Sequence, residues 1–230
     1  MVGLLDEILM SKNVVDRFYH EIKSNKDFGM WIEKNIPQLL DCERQQQNNP
    51  WHKYNVLCHI LHSVEQINKQ TLHLSQEERR VLAYTMLFHD IGKPVTHIVR
   101  KKDGKMIDSF FGHNKESVQI AKKILPILNF DEEQQKIILK LIDKHDIFMF
   151  IKDFPTSNQH WRILTEALVE EEIEDLSEVG DGVKLLKWLI MVGRADNLAQ
   201  NETMTKESLA LLNKFDRMVD ERENEWNQNG

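Results

Sequence analysis

The dipeptide His89-Asp90 lies within the run Leu87-Phe88-His89-Asp90-Ile91-Gly92-Lys93-Pro94 and sets an imidazole beside a carboxylate at the end of an otherwise apolar helix. One such pair recurs by chance in a chain of this length. Its weight comes from His59 ahead of it and from His113, His145 and Asp196 behind it, each emerging from an apolar helical pattern. Side chains of this kind resist burial without a partner, and a metal ion is a partner that several can share. Histidines and carboxylates without thiolates favour Mn, Fe, Co, Ni or Zn over Mg. One or two divalent ions of that class lower the pKa of bound water, supply hydroxide and polarise a phosphoryl oxygen. The predicted chemistry is metal-assisted phosphoester hydrolysis.

The elements that must position these groups are helical. Apolar residues from Leu5 to Phe18 predict an amphipathic helix over residues 4–22, and a short apolar segment follows around Phe28, Trp31 and Ile32. The polar stretch Glu43 to Pro50 reads as a loop. Beyond it, Val56, Ile60, Val64 and Ile67 form a stripe with His59 at its edge and His62 three residues on, so by spacing alone either imidazole could be a ligand. For His62, His73, His97 and His160 a satisfied core or surface position is expected. Ser75 and Glu78 make a capping box for the next helix, which Gly92 and Pro94 end just after His89-Asp90.

Lys102-Asp103-Gly104-Lys105 signals a turn between two β-capable segments, a hairpin over about residues 97–110 and the only β structure expected. His113 lies at the start of a helix, Asp131 caps another that carries His145, and the helical theme continues through Trp161, Leu164, Thr165 and Leu168 after Phe154-Pro155. Leu185, Leu189, Val192 and Asp196 share one face, so a carboxylate takes a position the pattern reserves for apolar residues. The last helix, with Leu209, Leu212, Phe215 and Met218, frays into residues 227–230.

At 230 residues, 41% hydrophobic and 29% charged, the chain is expected to form one domain: an N-terminal helical segment (1–49), a main body (50–200) and a C-terminal helix and tail (201–230). No apolar run approaches a membrane span, the N-terminus lacks the basic flank of an export signal, and Cys42 and Cys58 cannot build a disulfide framework or thiolate site, so a cytoplasmic location is expected. A net charge of −7 argues against a broadly basic polyanion-binding surface. Arg100, Lys101, Lys102 and Lys105 at the hairpin are the place where RNA contact is conceivable, though not favoured. The acidic run Glu170 to Asp175 reads as a solvated helix face.

The order His59, His89-Asp90, Asp196 resembles the HD-domain superfamily of metal-dependent phosphohydrolases. Pro50-Trp51-His52-Lys53-Tyr54-Asn55-Val56, His59, His89 to Pro94 and Phe111-Gly112-His113 are most similar to the HD domain of bacterial CCA-adding tRNA nucleotidyltransferases, over roughly residues 50 to 200. The resemblance implies an all-α bundle with one small hairpin. It implies His59, His89, Asp90 and Asp196 as core metal ligands, Asp90 able to bridge two ions, and His113 and His145 as further ligands. Asp90 and Lys93 are then the catalytic pair. Lys93, His52 and Arg194 are the candidate substrate contacts, Arg194 being expected to face substrate or the surface. Asn114 departs from the glutamate usual after Gly-His, which bears on the support of His113. No Gly-Ser with a following Asp-x-Asp pair is present, so nucleotide addition is not expected. The function expected is hydrolysis of a nucleotide or related phosphomonoester or phosphodiester. Cleavage of a dinucleoside polyphosphate or alarmone and a non-catalytic metal- or nucleotide-binding module are the alternatives. A di-iron oxygen chemistry is not strictly excluded by spacing.

Overall fold

The computed structural model describes residues 1–154 and 160–229, with side chains as far as Asn224 at the C-terminal end. Helices α1 (Val2–Leu9) and α2 (Val14–Ser24) replace the single N-terminal helix expected over residues 4–22. At the break, the buried Asn68 side chain donates to the carbonyls of Leu9 (2.7 Å) and Ser11 (3.2 Å), satisfying groups that a helix end leaves free. That partner is remote in sequence, so local periodicity misses it. Helices α3 (Lys26–Asn35) and α4 (Gln38–Arg44) follow, and the polar segment after Arg44 leads into α5 (Val56–Gln70). The Asn55 side chain caps α5 by accepting from the Cys58 N–H at 2.8 Å.

Helix α6 (Gln76–Phe88) begins with the Ser75/Glu78 capping box, and every residue from Val81 to Phe88 is buried. A helix covered on all sides is an interior helix. It packs between α5 and a later helix, α9, and so carries its C-terminal end into the middle of the molecule. After a tight bend come α7 (Lys93–Thr96) and the antiparallel hairpin of β1 (Ile98–Lys102) and β2 (Lys105–Ser109), with Ile98 opposite Ser109. Asp103 and Gly104 adopt φ of 50° and 80°, as a two-residue primed turn requires. Helix α8 (His113–Ile124) and α9 (Glu132–Lys144) form the next pair, α9 opening with a capping box between Asp131 and Gln134.

A second sheet corrects the expectation of a lone hairpin: β3 (Ile151–Lys152) runs parallel to β4 (Arg162–Ile163). Two residues per strand are too few to show an alternating pattern. The same pairing shifts the next helix later than the Trp161 pattern implied. Helix α10 (Glu166–Ser177) starts after Thr165, whose hydroxyl accepts from the Leu168 N–H at 3.2 Å. Pro155, part of the boundary read ahead of Trp161, lies outside the described residues. Helix α11 (Gly182–Leu198) packs against α5, α10 and the last helix, α12 (Lys206–Asn229). The tail expected to fray from residue 227 stays helical to Asn229, and Gly230 lies outside the described residues.

The acidic run of α10 is not a wholly solvated face, because Glu172 is buried, 2.5 Å from Lys144 and 2.8 Å from Arg162. Its cationic partners stand on α9 and β4, out of reach of a local reading. The arrangement is an all-α bundle with two small sheets. Among the described residues no helix is long and apolar enough to cross a membrane.

Candidate metal centre

Five helices deliver the polar side chains to one buried place. His59 projects from α5, His89 and Asp90 from the end of α6, His113 from the start of α8, His145 from the end of α9 and Asp196 from the last turn of α11. All are buried. The structure brings together every histidine and carboxylate that the sequence reading nominated as a metal ligand.

They fall into two sets that share one carboxylate. His59, His89, Asp90 and Asp196 offer ligand atoms within 4.8 Å of one another, and so do Asp90, His113 and His145. The two oxygens of Asp90 divide between them. Oδ2 lies 3.2 Å from His59 Nε2 and 3.3 Å from His89 Nε2; Oδ1 lies 3.1 Å from His113 Nε2 and 3.7 Å from His145 Nε2. Asp196 Oδ1 closes the first set at 2.9 Å from His59 Nε2 and 3.6 Å from His89 Nε2.

Backbone carbonyls aim the imidazoles. Nδ1 of His89, His113 and His145 lies 2.7, 2.9 and 2.7 Å from the carbonyl oxygens of Met86, Phe110 and Ile142, each three residues earlier. A carbonyl only accepts, so each Nδ1 carries a proton and each Nε2 is turned to the centre. His59 makes the looser version of this contact, Nδ1 to the Ala199 carbonyl at 3.5 Å. Asn114 plays no part in holding His113, since its amide donates to the Asp143 carbonyl at 2.8 Å.

These residues fit a cation. His59 Nε2, His89 Nε2 and Asp90 Oδ2 are buried and make no aligned hydrogen bond, although Asp196 and Lys93 stand within ion-pair range, and a shared ion would satisfy all three. Donors about 2.1 Å from an ion stand about 3.0 Å apart in an octahedral shell and about 3.4 Å apart in a tetrahedral one; the separations above run from 2.9 to 3.7 Å around that range. Without an ion, protons and Lys93 balance the charge. Burial works against the His89 imidazolium, yet Asp90 and Asp196 outweigh it and raise the pKa to about 10. Burial likewise opposes ionisation of Asp90 and Asp196, but His89 and Lys93 for the first, and His59 and His89 for the second, hold both well below the usual carboxylate range.

Lys93 is buried beside the cluster. Its Nζ lies 2.6 Å from Asp90 Oδ2, donates to Gln47 Oε1 at 2.9 Å and lies 3.3 Å from His52 Nε2. His52 in turn places Nδ1 2.8 Å from Asn49 Oδ1. Burial, then the neighbouring Lys93 charge, lower the His52 pKa well below its ordinary value, so the ring is neutral. Gln47 was missed by sequence reading because it sits in a polar run whose burial nothing local signals. Gly92 permits the close approach of α8. A Cβ there would stand 2.5 Å from the His113 carbonyl oxygen and 2.6 Å from the Ser117 nitrogen.

Other nominees lie elsewhere. Arg194 turns away from the centre, pairing with Asp216 of α12 at 2.9 Å and with Asn213 at 3.2 Å. Arg100, Lys101, Lys102 and Lys105 are exposed on the hairpin, with Arg100 over the Phe111 ring at 5.1 Å and Lys102 over Trp51 at 4.8 Å. His62 pairs with Glu65 and His97 with Asp108. Burial, then nearby Asp90 and Asp41, push the Cys42 thiol far up, so it is no nucleophile.

One further residue joins the centre that sequence reading passed over. Asp146 Oδ2 lies 3.2 Å from His113 Nε2, and its Oδ1 lies 3.4 Å from His145 Nε2. The signal was available: His145-Asp146 is a second His-Asp dipeptide, the only other one in the chain.

Comparison with known proteins agrees with this geometry. No curated protein matches the chain. The HD domain model matches residues 54–192, more than half of the 230 residues and a span that includes the ligand-bearing ends of α6, α8 and α9. The chain therefore belongs to the HD domain family.

Proposed function

We propose that this chain is a metal-dependent phosphohydrolase acting on a nucleotide or a related phosphomonoester or phosphodiester. The observation that carries the reading is the Asp90 carboxylate, with one oxygen toward His59 and His89, the other toward His113 and His145, and the Lys93 ammonium 2.6 Å from Oδ2. Such an ion, when held by these donors, lowers the pKa of water and polarises a phosphoryl oxygen. The all-imidazole and carboxylate donor set supports Mn, Fe, Co, Ni or Zn over Mg.

The chain's own residues supply the rest. Lys93 sets a cation at the rim of the donor cluster, where it balances charge that develops on phosphate in the transition state. Gln47 Oε1 accepts one of its protons, and the neutral His52 ring offers Nε2 as a second acceptor while Nδ1 donates to Asn49 Oδ1. His52 is thus a positioning residue that acts through Lys93. The surrounding apolar helices exclude bulk water, which strengthens each of these charge contacts.

The test is elemental analysis of the purified protein, followed by a metal-supplemented screen against nucleotides, cyclic nucleotides and generic phosphoesters. Turnover that depends on the metal and falls in Lys93→Met is expected. A metal-loaded protein that hydrolyses none of these substrates would overturn the enzymatic reading in favour of a regulatory module.

A further inference from the structure

The two His-Asp pairs of the chain share more than their letters. His89 and His145 each occupy the residue after the last turn of a helix, α6 and α9, and each fixes Nδ1 on the carbonyl three residues back at 2.7 Å. In both pairs the aspartate follows and directs an oxygen to imidazole Nε2 atoms of the same centre. The local device is used twice, from two helices that pack against each other.

The two sets differ unless Asp146 is counted. His59, His89, Asp90 and Asp196 make two imidazoles and two carboxylates, whereas Asp90, His113 and His145 make two imidazoles and one. Asp146 sets a second carboxylate beside both imidazoles of the smaller set. Its Oδ2 stands 3.2 Å from His113 Nε2 and its Oδ1 3.4 Å from His145 Nε2, two nitrogens that are 3.1 Å from each other and 3.1 and 3.7 Å from Asp90 Oδ1. The two separations of Asp146, 3.2 and 3.4 Å, are those expected of donors on one ion with bonds of about 2.1 Å. The side chain of Asp146 is 21% exposed while that of Asp90 is 2% exposed. It therefore lies on the open side of the second set.

We infer that Asp146 is a direct metal donor, an anionic ligand beside His113 and His145 for the ion that those imidazoles and Asp90 would share. The inference rests on the phosphohydrolase reading only in taking the centre to be metallic. The second ion has an anionic donor of its own, so it is not held by neutral imidazoles and a shared carboxylate alone. Because that donor is partly solvated, the second ion exchanges faster than the first.

The test is metal binding in the full chain, with no activity required. Chelator-stripped protein is titrated with Co²⁺ and Zn²⁺, stoichiometry is read by elemental analysis, and the Co²⁺ absorption bands report donor changes. The wild type is expected to take two ions. Asp146→Ala and the isosteric Asp146→Asn should keep the first with unchanged affinity and hold the second about tenfold or more weakly, since even outer-sphere partners of metal ligands are worth 10–100-fold. The Co²⁺ bands of the second equivalent should shift in both variants. Circular dichroism confirms that they fold. Two ions bound by both variants with wild-type affinity would overturn the assignment, as would a wild type that saturates at one. Two ions, of which only the second depends on Asp146, in a protein that hydrolyses no phosphoester would refute the function proposed above and leave this assignment standing.

Discussion

The ends of α6 and α9 present the same dipeptide to the same centre on different supports. At α6 the pair is seated on apolar packing, with Leu87 and Phe88 wholly buried ahead of it and Gly92 in backbone contact with α8 behind it. At α9 only Ile138, Leu141 and Ile142 are buried, and the last turn is held by ions: Lys144 to Glu172 and Asp175, Lys140 to Asp175 and Glu178. An apolar seat resists salt and pH, while an ionic seat responds to both. The shared carboxylate therefore comes from the rigid end, and the partly open donor from the adjustable one.

The largest expected effect comes from removing what the two ends share. Asp90→Ala deletes a donor from both sets at once, and it should reduce bound metal below one ion per chain and turnover to background, measured by elemental analysis and phosphoester assay. Asp146→Ala, by contrast, should spare the first ion. Equal losses in the two variants would erase the distinction between the ends.

Gly92→Ala attacks the rigid seat. Its Cβ meets backbone of His113 and Ser117 rather than the flexible end of a side chain, so a loss of about 3 kcal/mol is expected, at the upper end for overpacking. Urea unfolding checks this. The position equivalent to Gly92 after the second pair is Phe148, whose ring would stand 2.8 Å from a Cβ on Gly193 of α11, so there the close approach falls on a side chain rather than on backbone.

Lys144→Ala attacks the ionic seat by leaving the buried Glu172 with Arg162 alone. Removing one partner of a buried ion pair costs about 3–5 kcal/mol when nothing remains, and with Arg162 still present about 2 kcal/mol is expected. The pH dependence follows from Asp175, whose burial opposes ionisation but whose bonds from Lys140 and Lys144 lower its pKa below 3.8. A depressed carboxylate contributes stability above its unfolded value and loses it as the pH falls through its folded one. Hydrogen exchange on acidification should thus open the end of α9 before that of α6. Simultaneous opening would contradict the contrast.

Asn114→Ala is the smallest change. It removes one bond to the Asp143 carbonyl, worth about 1 kcal/mol, and leaves metal affinity unaltered because the Phe110 carbonyl holds His113.

The helices, the hairpin turn at Asp103-Gly104 and the burial of the nominated histidines and carboxylates were legible because each rests on local chemistry: periodicity, capping boxes and a polar residue on an apolar stripe. The misses have non-local causes. Asn68 breaks the N-terminal helix from a distant element, Glu172 is buried by cations of other elements, and Gln47 is drawn inward by Lys93. Arg194 was set beside Asp196 by sequence alone, whereas the helix turns it to Asp216 on α12. Asp146 is the exception, since the repeat of His89-Asp90 at His145-Asp146 was readable, and only its convergence on the same centre needed three dimensions.

The central claim is that one carboxylate joins two donor sets, and the measurement that tests it most directly is the metal stoichiometry of wild-type and Asp90→Asn proteins after stripping and reloading. Two ions per chain in the wild type, and fewer than one in a folded Asp90→Asn protein, are predicted. A variant that still binds two ions, or loses only one, would contradict a shared Asp90.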